Sequence, residues 1–334
     1  MPLRRGFAAR ILCRLRSPEG AVSAFGRPGG TDMRLPNLLR LSPKWAPYVF
    51  ISPFLILFCV FGIFPLCFSL YLAFQTWEPT GGLKAMEFVG LANFTFALKD
   101  AWFWKALKNT LWLAVASGVP QHLVALPLAA FIHASFKRLR DGVIAVYFLP
   151  YITSTVAIAI MFNALFSQDY GMINAALAQL FGMEHIDWLH DVPHVKPAIA
   201  FIVFWRYVGF NTVLYLAAMQ TIPGELYEAA TLDGASRWRQ FFHITLPSIK
   251  PMIFFGVTLS VIGGLQLFEE PFILTGGKGG LQQSAMTSAV YMFREAFDFN
   301  DFGGASAMSW LLFVVVALLT WLTNLAFRTR KGAQ

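Results

Sequence analysis

The sequence predicts an all-α integral membrane protein of six transmembrane helices. Two observations carry that prediction: an apolar composition and six long apolar runs. Of 334 residues, 57% are hydrophobic and 13% charged, against about 45–50% and about 25% in soluble domains. A mean hydropathy of +0.57 shows that the excess is not offset elsewhere. The 34 Phe and 10 Trp also exclude a disordered chain, since such side chains cannot stay solvated. A single-core soluble protein is excluded as well.

The runs are 48–75, 109–135, 142–166, 198–220, 251–275 and 305–327. Each is long enough to cross about 30 Å of hydrocarbon at about 1.5 Å per residue. Pro53, Pro65, Pro120, Pro127 and Pro150 fall inside them, which a bundle tolerates when neighbouring helices satisfy the freed carbonyls. Orientation follows from basic residues. With a cytoplasmic N-terminus, segments 1–47, 136–141, 221–250 and 328–334 hold 18 Lys/Arg against 6 acids. The opposite segments 76–108, 167–197 and 276–304 hold 7 against 10. Both termini are therefore expected in the cytoplasm, and the net charge of +8 reads as membrane topology rather than nucleic-acid binding.

Residues 1–47 form a basic, acid-poor tail that Arg4, Arg5, Arg10, Arg14 and Arg16 keep free of any signal-peptide core. A disordered cytoplasmic tail is expected, with Met33 as an alternative start. Cys13, Cys59 and Cys67 have no metal-ligand spacing and make no disulfide framework. Gly276-Gly277-Lys278-Gly279-Gly280 lacks the spacing of a phosphate loop. His185, His190 and His194 share one outer loop and are expected to be solvated rather than metal-bound.

Chemistry concentrates in the cytoplasmic loop 221–250. Its sequence reads as two short helices joined by glycine: Pro223 suits a helix start, Gly234 a left-handed exit, and Pro247 a stop. The loop is too long for a plain connector. Leu226, Tyr227, Phe241, Phe242 and Ile244 need something to cover them.

The pattern Glu228-Ala229-Ala230-x-x-Asp233-Gly234, nine residues, then Ile244-x-Leu246-Pro247, resembles the EAA signature of bacterial ABC importer permeases. Likeness to the carbohydrate-uptake, maltose-type members extends over roughly 45–330. It includes Phe88-Val89-Gly90-Leu91-Ala92-Asn93-Phe94, Ala106-Leu107-Lys108-Asn109-Thr110, Leu149-Pro150-Tyr151-Ile152-Thr153-Ser154 and Leu274-Thr275-Gly276-Gly277. Lys278-Gly279-Gly280 departs from the Gly-Pro that many members carry next.

The resemblance implies a six-span permease domain over 48–328 with a MetI-like bundle, whose EAA loop docks on an ATPase. Glu228 would make polar contacts there, and Ala229, Ala230 and Gly234 would allow a close fit. It further implies a second homologous permease, two ATPase subunits that bind ATP and Mg, and an extracytoplasmic solute-binding protein. The chain itself would hold no cofactor and catalyse nothing. The substrate would be a sugar, polyol or glycerol-phosphate compound.

A sugar site needs amide, hydroxyl and aromatic groups. Tyr207, Asn211 and Tyr215 recur every four residues on one helix face, and Ser260 and Gln266 lie near Gly263 and Gly264. These residues either line a substrate path or pack between helices. Arg206, Glu269 and Glu270 are charges inside spans, where a lone charge costs about 2.5–3.5 kcal/mol or more. They either pair across the path about 8–12 Å below the outer edge or snorkel to water. An ion-coupled secondary transporter remains the alternative class, and an intramembrane enzyme lacks its catalytic set.

Overall fold

The computed structural model describes residues 44–135 and 140–327. The tail up to residue 43, with Cys13 and Met33, lies outside the described residues, as do 136–139 and 328–334. Contacts divide the chain at residue 61.

In the first unit, α1 (Ala46–Phe58) opens with Pro47 in its first turn and leads into a π-turn beginning at Cys59. None of its residues is buried. It is apolar on every side, with Phe50, Phe54 and Ile56 exposed, as a helix facing lipid or another chain must be. Counted together with α2 (Phe64–Leu72), the segment Ala46–Leu72 is long and apolar enough to cross a membrane.

In the second unit, α2 leads to a two-residue hairpin pairing of β1 (Gln75–Thr76) with β2 (Glu87–Phe88), and then to α3 (Ala92–Lys99). Asn93 Nδ2 donates to the carbonyls of Ala73 (3.1 Å) and Gln75 (2.8 Å), tying α3 to the end of α2. Asp100 then caps α4 (Ala101–Ser135) by accepting from the backbone N–H of Trp102 and Phe103. α4 has 35 residues, ~52 Å at 1.5 Å per residue, and runs unbroken through Pro120 and Pro127. It begins at 101 rather than 109.

The expected third span, 142–166, is two helices. α5 (Arg140–Ile152) and α6 (Thr155–Leu165) meet at 92°. Pro150 withholds one N–H from the last turn of α5, and Ser154 takes an extended ψ of 131°, so the chain restarts in a new direction. α7 (Met172–Phe181) closes on Gly182 in the left-handed conformation. In the loop that follows, His190 and His194 pair with Asp187 and Asp191, and His185 Nδ1 meets the Gln168 carbonyl.

α8 (Val192–Met219) is the hub, with 61% of its apolar window buried against 28% or less for each other span. Its N-terminal half packs Ile199 and Ile202 against Leu113, Phe162 and Leu274; its C-terminal half packs Tyr215 and Met219 against Ala125, Ala129 and Ile132. Contact with α4 is the most extensive between helices. Short helices α9 (Gly224–Leu232), α10 (Arg237–Gln240) and α11 (Leu246–Ser248) fill the loop before α12 (Lys250–Leu265).

The fifth apolar run is also broken. α12 ends at Leu265, and α13 (Glu269–Leu274) restarts after Gln266 and Phe268 leave helical geometry. Gly276, Gly277, Gly279 and Gly280 all have positive φ, so Lys278-Gly279-Gly280 makes a left-handed turn without proline. α14 (Ser288–Phe297) and α15 (Phe302–Phe327) complete the chain. Gly303 lets α15 touch the first hairpin strand, since a Cβ there would lie 2.1 Å from the Gln75 carbonyl oxygen.

Candidate functional site

Two places gather the residues singled out by sequence. The first is the loop after α8. Residues α9 through α11 form a hairpin of helices around Gly234. Gly234 has φ +75°, its N–H bonds to the Thr231 carbonyl, and Ala235 N–H reaches back to Ala230. That double bond is the left-handed helix stop which favours glycine. No atom lies within 4 Å of where a Gly234 Cβ would stand, so within this chain the φ angle alone demands glycine.

The two arms are stapled by side chains. Tyr227 and Thr245 hydroxyls are 2.9 Å apart, and Gln240 Nε2 donates to Thr231 Oγ1 (3.0 Å) and the Ala235 carbonyl (3.1 Å). Pro247 does not stop the second arm, contrary to the sequence reading. The turn Phe241–Thr245 is π-wound, and the helix passes through Pro247 to Ser248 before Ile249 breaks it at ψ 6°. A π-turn shifts the hydrogen-bond pattern there, which accommodates a residue without an N–H.

Glu228, Ala229, Asp233 and Pro247 are exposed, while Ala230, Ile244 and Leu246 are half-buried. Phe241 packs into the core beneath. Leu232 (89% exposed), Trp238 (71%) and Phe242 present apolar side chains to the surface, the last two stacked with ring centroids 6.3 Å apart. Trp238 and Leu232 were not among the uncovered apolar residues expected from sequence.

The second place is a pair of adjoining cavities beside α8. One, of about 220 Å³, is lined by Ser117, Gln121, Tyr151, Tyr207, Asn211 and Ser260, with Gly118, Gly263 and Gly264 leaving room. The other, of about 520 Å³, shares Tyr151, Tyr207 and Gly263 and adds Arg206, Gln266, Glu269 and Glu270. Tyr151 anchors an aromatic wall: its ring stacks on Phe210 at 4.6 Å and meets Tyr207 edge-on at 5.7 Å.

Asn211, 1% exposed, donates to Gln121 Oε1 at 3.2 Å, and its own Oδ1 is buried without a partner. Tyr215 lines neither cavity. It is fully buried and hydrogen-bonded to His122 Nδ1 at 2.6 Å. Gly256 makes space for it, since a Cβ there would lie 2.7 Å from the Tyr215 hydroxyl. Sharing a helix face with Asn211 thus puts Tyr215 against α4, below the cavity.

Arg206 Nη1 donates to Glu270 Oε1 at 2.7 Å and lies 3.9 Å from Glu269 Oε2. Arg206 and Glu270 side chains are 11% and 4% exposed, Glu269 61%. Thr155 Oγ1 donates to Glu269, joining α6 to α13. The helix bounds differ from the sequence reading. α8 starts at Val192 instead of 198, which puts Arg206 ~21 Å along the helix at 1.5 Å per residue. The glutamates open a separate short helix rather than sitting within a continuous span.

Sequence reasoning missed Ser117, Gln121 and Tyr151. A signal existed for Gln121-His122, two adjacent polar residues midway along an apolar run, which marks a bundle interior.

The arrangement supplies ring faces, amides and hydroxyls to a polar, ring-shaped solute, beside a helical hairpin on the far arm of α8. Residues 125–330 match the family described as binding-protein-dependent transport system inner membrane component. The chain is 35% identical to the lactose transport system permease protein of Rhizobium radiobacter, covering 85% of this chain and 94% of that protein. It is 32% identical to the arabinooligosaccharides transport system permease protein of Bacillus subtilis (88% and 92% covered). A sulfoquinovosyl glycerol transport system permease protein of Agrobacterium fabrum is 30% identical (90% and 96%). Among solved structures, a chain of a bacterial alginate ABC transporter, in complex with an alginate pentasaccharide-bound periplasmic protein, matches with TM-score 0.74 and 26% identity, over 87% of this chain and 97% of that one.

Proposed function

The chain belongs to the binding-protein-dependent transport system inner membrane component family, and on that premise we propose that it is a permease subunit of an ABC importer for saccharides. The observation that carries the substrate class is the cavity built from Tyr151, Tyr207, Asn211, Gln121 and Ser260, whose aromatic faces and amides suit sugar rings and hydroxyls. The lactose and arabino-oligosaccharide permeases among its relatives support the same class.

In this reading the chain sits in the inner membrane with both termini in the cytoplasm, following the basic-residue asymmetry. It pairs with a second, homologous permease to enclose the path. Two ATPase subunits bind ATP and Mg, and this chain carries neither cofactor nor catalysis. An extracytoplasmic binding protein delivers the sugar, as the periplasmic protein in the alginate complex suggests by likeness. The α9–α11 hairpin fits into an ATPase cleft, with Glu228 and Asp233 at the polar edge and Leu232, Trp238 and Phe242 as the apolar contact. The staples Tyr227–Thr245 and Gln240–Thr231 make it rigid enough to carry ATPase closure to α8 and α12 as a body.

The experiment is to co-express the chain with its partner subunits and replace Glu228 by Ala and Gly234 by Val. Complex assembly or sugar-stimulated ATP hydrolysis should fall at least tenfold in the double variant. Unchanged ATP-driven uptake by that variant would remove the coupling assignment.

A further inference from the structure

We propose that the path through this chain selects uncharged saccharides and rejects acidic ones. The proposal rests on the reading of the two cavities as the saccharide path. Its relatives leave the point open, since their named substrates include lactose and arabino-oligosaccharides, while a related structure belongs to a transporter of alginate, an acidic polysaccharide.

The charge balance of the cavities decides. The residues lining the smaller cavity carry no charge. Those lining the larger one include Arg206, Glu269 and Glu270 as their charged groups, a formal balance of one negative charge. The distribution matters more than the sum. Arg206 is held by Glu270 at 2.7 Å, both nearly fully buried, so its charge is already balanced by a partner it cannot leave without stranding a buried carboxylate. Glu269 is the group that faces the cavity, 61% exposed and 3.9 Å from Arg206.

Thr155 on α6 donates to one Glu269 oxygen, and the carboxylate lines the larger cavity as an acceptor. A sugar hydroxyl can donate to such an oxygen. A uronate or other acidic sugar brings a like charge into the cavity that Glu269 lines, and at hydrogen-bond range two carboxylates repel. Selection by repulsion of the wrong substrate is the common device.

The test uses the assembled permease–ATPase complex in detergent with the binding protein omitted, so that the permease step is read alone. Binding is measured by tryptophan fluorescence for maltose, cellobiose and galactobiose, each against the disaccharide of the same linkage with C6 oxidised to a carboxylate. The tightest ligand should be neutral and should bind at least tenfold more tightly than its acidic counterpart. Glu269→Gln should narrow that ratio at least threefold, and Glu269→Asp, which keeps the charge, should preserve it. An acidic sugar binding as well as its neutral counterpart, or a ratio unmoved by Glu269→Gln, overturns the proposal and leaves the saccharide reading standing. If no saccharide of either kind binds, and none stimulates ATP hydrolysis once the binding protein is restored, the saccharide reading falls and this proposal with it.

Discussion

Replacing Gly209 with alanine should loosen α8 from α5 and damage the aromatic wall of the cavity. A Cβ at Gly209 would stand 1.7 Å from the Tyr147 carbonyl oxygen, where contacts under 3.0 Å essentially never occur. The obstacle is backbone, so no side chain can swing away, and the two helices must part by more than 1 Å. Small residues at such crossings are what allow membrane helices to approach closely. Overpacking of this kind costs about 1–3 kcal/mol, and a chain of this size loses roughly 2–4 °C per kcal/mol. The displacement also carries Tyr151 away from Phe210 and Tyr207, which it touches from the same helix. Thermal midpoints of the detergent-purified complex, read by size-exclusion recovery, should therefore drop by about 5 °C, and sugar uptake should fall with them. Gly142→Ala on α5 is the control: nothing lies within 4 Å of its Cβ position, and alanine gains up to about 1 kcal/mol of helix propensity. If Gly209→Ala melts within 1 °C of wild type and transports normally, the packing of α8 on α5 is not as described.

Tyr215→Phe strands His122 Nδ1 in a buried site, which costs about 1–3 kcal/mol; the midpoint should drop while saccharide affinity stays within twofold, because Tyr215 lines neither cavity. An equal loss of affinity would place Tyr215 in the path after all. Glu295 on α14, outside the spans, is 7% exposed. Burial first, and then the nearby carboxylates of Asp301 and Asp100, raise its pKa above the usual carboxylate value. The folded protein therefore holds this proton more tightly than the unfolded chain does, so its contribution to stability is present in acid and lost as pH rises through the raised pKa. As pH rises above the usual carboxylate range, the wild-type midpoint should fall more than that of Glu295→Gln, and identical profiles would show that Glu295 does not titrate in this way.

Much of the fold was legible because membrane insertion leaves a strong one-dimensional signal. Six apolar runs and an uneven distribution of arginine and lysine suffice for an expected orientation and for the five candidate spans, or six with the bent pair α5–α6 counted as one. Gly234 was legible for a similar reason, since a left-handed helix stop has few alternatives to glycine. The breaks at 153–154 and 266–268 were not. Pro150 does not by itself dictate a 92° turn, given that Pro120 and Pro127 leave α4 unbroken; tertiary partners such as the Thr155–Glu269 bond decide. The span ends also escaped, because helices continue beyond the apolar stretch once Asp100 or Pro193 starts them outside it.

Within the cavity, Tyr207 and Asn211 were legible from their four-residue spacing, and Arg206 from the cost of a lone charge in a span. Gln121 and Tyr151 sit on helices chosen by packing, and no local pattern announces that they face α8. Tyr215 shows the converse. Its spacing is right, but the helix face it shares turns into α4 one turn later.

The most direct measurement is sugar uptake into proteoliposomes holding this chain with its permease partner, ATPases and binding protein. Uptake should require internal or external ATP on the ATPase side, require the binding protein, and persist when ionophores collapse the proton and sodium gradients. Uptake that proceeds without ATP and stops when those gradients are collapsed would contradict the account and mark the chain as an ion-coupled carrier.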